Sequence, residues 1–434
     1  MVHSTKSRFF AFVLAAALVC SALCGCARLD YDRADRLAQS GDYAAAAAAF
    51  DALGDYRDAA RKAGICHYRS GVLFFRDGDF DAASRAFSHL SGDMSDYGPL
   101  YFATLEEARP KIAEMALSGA EHIEMMIGDL PEQTQSYDQQ RGLVHLAQCE
   151  LAAYSFDGQR LVIDPVVYPG VRIVAAWKNG TLAALSAEDT ALYEEAQAIV
   201  DAAKAASGDD PLALESYLYN YVSLAAVYDG SANEPVWNER TALDERMTAR
   251  GALLSGRANC QGFSDAFYLL ASLSGFDVRY CFGRADGESH VWNAINLGGQ
   301  WYWVDLTFDN NVENFVEGAN THVFLNFTAS RDASRTLWPN SECVSVASSV
   351  PSQYDYDAAN GTLFFDGSDA ADYALYCRNA GIDLVDFAVA GASIDSADLS
   401  AALERTTNAR GIACSWYCAS YPADDRVGFV VRWE

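Results

Sequence analysis

Residues 256–275 read GRANCQGFSDAFYLLASLSG. After Cys260, apolar side chains return at Phe263, Ala266, Phe267, Leu270 and Leu273, the spacing of a helix with one buried face. Gly275 suits its C-terminal stop, and Asn259 or Ser255 suits its cap. Cys260 then falls in the first turn, where the helix dipole and unpaired backbone N–H groups favour a thiolate. Gly262 leaves room beside the thiol for a substrate backbone. A free cysteine is more often a small buried residue than a nucleophile, so its partners decide.

Those partners lie in ESHVWNAINL (288–297) and QWYWVDLTFD (300–309). The text predicts two strands around Gly298-Gly299. A two-residue turn there pairs 297 with 300 and makes Asp305 the diagonal neighbour of His290. A turn at Leu297-Gly298 sets the two directly opposite. Either register keeps them on one sheet face, in contact range. A thiol, an imidazole and a carboxylate are the parts of a nucleophile–base–orienter site. Trp292, Trp301 and Trp303 share that face and would exclude water. Trp292 and Trp303 are read, with Gly262, as substrate-binding positions.

With these motifs on the page, residues from about 190 to 325 resemble the transglutaminase-like superfamily, whose fold is related to that of papain-like cysteine proteases. The matching pieces are the text around Cys260, HVWN at His290, WYWVDLTFD with Asp305, and the upstream ESYLYNYVSLAAVYDG of Glu215–Gly230. The resemblance implies a Cys260 nucleophile, a His290 base and an orienting Asp305, with the backbone N–H of Cys260 as oxyanion donor. It implies a thioester acyl-enzyme, resolved by water in a protease or amidase and by an amine in a cross-linking enzyme. It calls for no cofactor. No CxxC pair or histidine cluster has the sequence spacing of a zinc site, so no metal is expected.

The N-terminus carries Lys6 and Arg8 before an apolar run, Phe9–Cys20, too short to span a membrane. It ends in Leu23-Cys24-Gly25-Cys26, which resembles the bacterial lipobox. This implies a signal peptide over 1–25, a lipidated Cys26, and a chain anchored on the extracytoplasmic face of the cell membrane. The formal charge of −28 opposes nucleic acid and anionic lipid surfaces. Eleven cysteines in an exported chain invite a disulfide count. With Cys260 free, the C-terminal four, Cys343, Cys377, Cys414 and Cys418, offer up to two bridges.

Gly41-Asp42-Tyr43 and Gly78-Asp79-Phe80 each open an alanine-rich stretch, at an offset of 37 residues. This resembles tetratricopeptide helix pairs, of period about 34. The domain reading is therefore helical repeats over 26–135, a small β-rich linker over 136–188, a catalytic domain over 189–330 and a C-terminal accessory domain over 331–434. The expected fold is multidomain: α-helical tetratricopeptide-like repeats, an α+β transglutaminase-like (papain-like) domain and a small α/β domain. The substrate expected by location is an envelope or extracellular peptide or protein, with a protein partner for the repeats. The competing reading is a non-catalytic envelope scaffold that binds through those repeats.

Overall fold

A computed structural model describes residues 27–90, 100–120, 122–129, 150–157, 160–231, 243–310, 320–338, 346–391 and 394–434, with backbone alone at 129 and 150–157. The signal segment and Cys26 lie outside the described residues. No helix among the described residues is long and apolar enough to cross a membrane. The chain divides into two compact units, one made of residues up to Pro110 with Ile123–Gln133 and Ser155–Val162, the other of the rest.

The first unit opens with four helices, 27–39, Tyr43–Asp51, Ala59–Arg76 and Phe80–Phe87. The repeated Gly-Asp-aromatic text has a mechanical meaning. Gly41 and Gly78 take left-handed conformations, φ 84° and 80°, and stop one helix. Asp42 and Asp79 cap the next, accepting from Ala45 N at 3.2 Å and Ala82 N at 3.0 Å. The aromatic residues that follow each alanine stretch are core: Phe50 is fully buried, and Phe87 packs with Phe75 and Phe80. A strand at Leu100–Thr104 falls inside the span 26–135 expected for helical repeats. From Leu100 the chain forms strand β1 (Leu100–Thr104), the Leu105–Leu117 helix and β2 (Ile123–Asp129), with β1 and β2 parallel. Strands β3 (Glu150–Asp157) and β4 (Arg160–Val166) follow.

The linker reading also needs correction at 169–180. VRIVAAWKNG reads as a β run with an Asn-Gly turn, but Pro169–Asn179 is a helix. Pro169 presets its first turn and Gly180, at φ 69°, ends it. Asn-Gly serves a helix stop as readily as a hairpin.

The second unit is organised around the helix Cys260–Ser274, whose residues 261–273 are all buried. It packs against the helices Pro169–Asn179, Ala187–Ser207 and Pro211–Ala225 and against a sheet. That sheet runs β10 (Thr336–Leu337), β7 (Val278–Ala285), β8 (Glu288–Leu297), β9 (Gln300–Val304), with every pairing antiparallel. Its two hairpins turn at Asp286-Gly287 and Gly298-Gly299, all four residues at positive φ. The Gly-bounded stretch 283–287 is therefore strand plus turn and not a free loop. Asp265 pins the central helix in place. Its carboxylate accepts from Gly170 N at 3.1 Å, Ala249 N at 2.7 Å and Tyr280 Oη at 2.7 Å.

After the short helix Tyr356–Asn360, the chain forms a strand–helix–strand–helix–strand–strand series. Strands β11 (Leu363–Phe364), β12 (Leu384–Ala390), β13 (Trp416–Pro422) and β14 (Arg426–Trp433) make a sheet of order β11-β12-β14-β13, packed by helices Gly367–Asn379 and Ser396–Ala409. This sheet does not form a separate body: it belongs to the same compact unit as the central helix. Arg331 ties the parts together, holding Asp355 at 3.0 Å and Asp425 at 3.1 Å. His322 bonds Asp386 at 2.8 Å and Asn220 at 2.7 Å and stacks on Tyr356. Cys377, Cys414 and Cys418 are free, and Cys281 is disulfide-bonded.

Glu215, in the Pro211–Ala225 helix, is fully buried with Asn326 Nδ2 donating to it at 2.7 Å. Burial pushes its carboxyl up to about 8, only partly offset by that bond. The folded chain therefore holds a proton that the unfolded chain releases above its ordinary value of about 4.3. Stability from this group is full below that value and is lost as pH rises towards 8. Glu215→Gln should remove this slope, so that between pH 5 and 8 it gains about 1–3 kcal/mol relative to wild type in urea unfolding. Parallel curves for the two proteins would show that Glu215 is not the proton carrier.

Candidate active site

Cys260 is the first residue of the central helix. Asn259 is the cap, its side chain accepting from Gln261 N at 3.0 Å and Gly262 N at 3.2 Å, while Ser255 instead bonds Glu245. The thiol is part-exposed, on an otherwise buried helix. Gly262 is needed for a different approach from the one expected. A Cβ there would sit 2.3 Å from the Arg246 carbonyl and 3.0 Å from Ala258. Its bareness admits the chain's own backbone and so lets the helix seat against residues 246–258.

His290 lies in β8 opposite Gly283, and its Nε2 meets Asp305 Oδ2 at 2.7 Å. That leaves Nδ1 to serve Cys260, whose interaction favours the charged imidazole. The hairpin has the Gly298-Gly299 register, Leu297 opposite Gln300, but the ladder stops at Val304. Asp305 then caps the short helix Leu306–Asn310, its Oδ1 accepting from Thr307 N at 3.0 Å and Phe308 N at 3.3 Å. One carboxylate oxygen thus fixes the backbone and the other fixes the imidazole.

Asp305 is 1 % exposed, yet it stays charged. Burial alone would raise its pKa, but His290 and the Arg335 guanidinium hold it well below the usual range. Arg335 Nη1 is 2.6 Å from Asp305 Oδ2, and its Nε bonds Asp332 at 2.7 Å. The guanidinium is buried among the rings of Trp292, Phe308, Phe324 and Phe327 at 4.5–5.5 Å, favourable for a desolvated cation. Burial opposes charge on His290 too. The Asp305 charge and hydrogen bond, with Cys260, outweigh it and raise His290 to about 9.

Trp292 and Trp303 are 0 % and 5 % exposed. They pack edge to face at 5.7 Å, and Trp292 stacks on His290 at 6.0 Å. They form the dry wall behind the imidazole and do not present a face to substrate, in contrast to the sequence reading. Two residues of the site escaped that reading. Arg335 is one. The other is Tyr228, which pairs with Ala258 across the parallel strands β5 (Val227–Tyr228) and β6 (Arg257–Ala258). Burial, with the charges of Cys260 and Asp305, pushes its hydroxyl up to about 12 and keeps it a neutral donor.

A part-exposed thiol at a helix start, beside an imidazole that a buried carboxylate orients, can perform nucleophilic acyl chemistry. Residues 189–306 match the Transglutaminase-like superfamily. This region is a transglutaminase-like domain. Among solved structures, the chain is similar to a "TGase", at 14% identity over 51% of this chain and 61% of that one, TM-score 0.25. It is also similar to a "Putative Cysteine Protease" from Cytophaga hutchinsonii, at 12% identity over 37% and 62%, TM-score 0.22. The chain spans about three fifths of the length of each. No curated protein matches.

Proposed function

We propose that this chain is an exported, lipid-anchored thiol enzyme that cleaves amide or peptide bonds of cell-envelope substrates through Cys260, His290 and Asp305. The observation that carries this is the buried His290–Asp305 bond of 2.7 Å, beside a part-exposed thiol at a helix start whose interaction favours the charged imidazole. The Cys260 thiolate adds to the amide carbon. His290, charged, gives its proton to the leaving nitrogen as the C–N bond breaks, and a thioester remains. Water then adds to the thioester, His290 takes its proton, and the thiolate leaves as the acid is released. An amine in place of water would give cross-linking by the same steps. The backbone N–H of Cys260 and the Tyr228 hydroxyl are the donors for the oxyanion. Asp305 holds the imidazole so that Nδ1 faces the thiol. The disulfide at Cys281 supports an oxidising compartment, and the text at Leu23–Cys26 supports lipidation of Cys26.

An acyl-fluorophosphonate-free test suits a thiol: a peptide acyloxymethyl ketone, which alkylates an activated cysteine. It should label wild type at Cys260, and labelling should fall in His290→Ala. Full labelling in His290→Ala would sink the pair. Water and amine acceptors are separated by mass, since hydrolysis replaces the leaving ammonia or amine with water and transfer replaces it with glycine ethyl ester.

A further inference from the structure

We propose that Asp51, His67 and His89 form a divalent-cation site, of zinc-type chemistry, that fastens three consecutive helices of the first unit. This site is independent of Cys260. Its ligand atoms, one carboxylate oxygen and two ring nitrogens, lie within 4.8 Å of one another. His67 Nε2 and Asp51 Oδ2 are 2.8 Å apart. The His67 and His89 rings stack face to face, with centroids 4.3 Å apart and planes within 4°. The stack brings the two imidazoles side by side, and imidazole is a common ligand of Zn²⁺.

The donor set fits the chemistry. Imidazole and carboxylate bind Zn²⁺ at about 2.0–2.2 Å, which sets neighbouring donor atoms roughly 3.3 Å apart around a tetrahedral ion. His67 is 9 % exposed and anchored, while Asp51 and His89 are exposed. The two surface side chains can therefore close the remaining gap by rotation, and water can complete the coordination.

The placement gives the site a purpose. Asp51 ends the Tyr43–Asp51 helix, His67 lies within Ala59–Arg76, and His89 follows Phe80–Phe87. An ion there would clamp the ends of two helices onto the middle of the third. Short helical arrays are marginal because each pair leans only on its neighbours, and a cation bound by the folded form alone adds stability by mass action. The spacings of 16 and 22 residues match no local metal motif, which is why the sequence gives no sign of the site.

The test uses the full chain, stripped with chelator and titrated with zinc chloride and, separately, cobalt chloride. One equivalent of zinc should bind and raise the temperature at which the first unit unfolds. Bound cobalt should show the d–d bands of nitrogen and oxygen ligands without a thiolate charge-transfer band. His89→Ala and Asp51→Asn, both surface changes, should each weaken zinc binding at least tenfold and remove the thermal shift. Unchanged affinity in both variants, or no bound equivalent in wild type, overturns the proposal. So does a thiolate band that disappears in Cys260→Ala, since the ion would then sit at the thiol.

Discussion

Cys260→Ala should abolish amide turnover, by on the order of 10⁶-fold, as loss of a triad nucleophile does, with no change in unfolding temperature. The two halves of this result have separate causes. Turnover should fail because the proposed acyl bond forms on the Cys260 sulfur. The fold survives because the thiol holds nothing up: the helix cap belongs to Asn259, alanine suits a first helical turn better than cysteine, and the site is part-exposed. His290→Ala should cost about as much, and the two losses should not add, because nucleophile and base act as a unit. The basic limb of the wild-type rate should fall near pH 9, where His290 loses the proton it gives to the leaving nitrogen. Turnover and calorimetry on the same preparation check both halves. If Cys260→Ala keeps full biological activity while changes on the helical surface of the first unit abolish it, the scaffold reading gains and the enzyme reading fails.

What the sequence makes legible depends on range. Cys260 stands out because its cap, its buried face and its Gly275 stop all lie within one helix. His290 and Asp305 stand out because a two-residue hairpin turn fixes the face of both strands. The contact itself forms by another route: the ladder ends at Val304, and Asp305 reaches His290 while capping the next helix. Side-chain exposure is less legible. The aromatic text that reads as a substrate wall is core, because Trp292 and Trp303 face the packed layer under the sheet. Gly262 likewise reads as room for substrate, whereas the neighbouring chain fills that space. Arg335 carries no local signal at all. It sits 30 residues after Asp305 in polar text, past the point where composition suggests a new domain. Only the path of the chain, through β10 at the edge of the site's sheet, brings it to the carboxylate. The same holds for Asp51, His67 and His89.

Arg335→Met should destabilise the protein by about 3–5 kcal/mol, the cost of removing one partner from a buried ion pair. The reason is the charge left behind: Asp305 is 1 % exposed and would keep His290 as its only close cation. The effect on His290 separates a positioning role from mere packing. With the guanidinium gone, the Asp305 charge acts on His290 uncompensated, so the basic limb of the pH–rate profile should move above pH 9. Asp305→Asn should move it the other way, below 9, and lower turnover by on the order of 10⁴-fold through loss of imidazole orientation. Its stability deficit has a definite pH dependence. His290 is raised in the folded state, so its contribution is full below about 6.5 and is lost as pH rises through about 9. The part of the Asp305→Asn deficit that arises from His290 should therefore shrink in alkaline solution. The Arg335→Met deficit should persist there, because a guanidinium does not titrate in that range. The double variant tests the pair directly. Removing both charges leaves neither buried alone, so its loss should fall short of the summed single losses by about 0.5–3 kcal/mol. Strict additivity, with no movement of the pH limb in Arg335→Met, would reduce Arg335 to a filler of the aromatic cage.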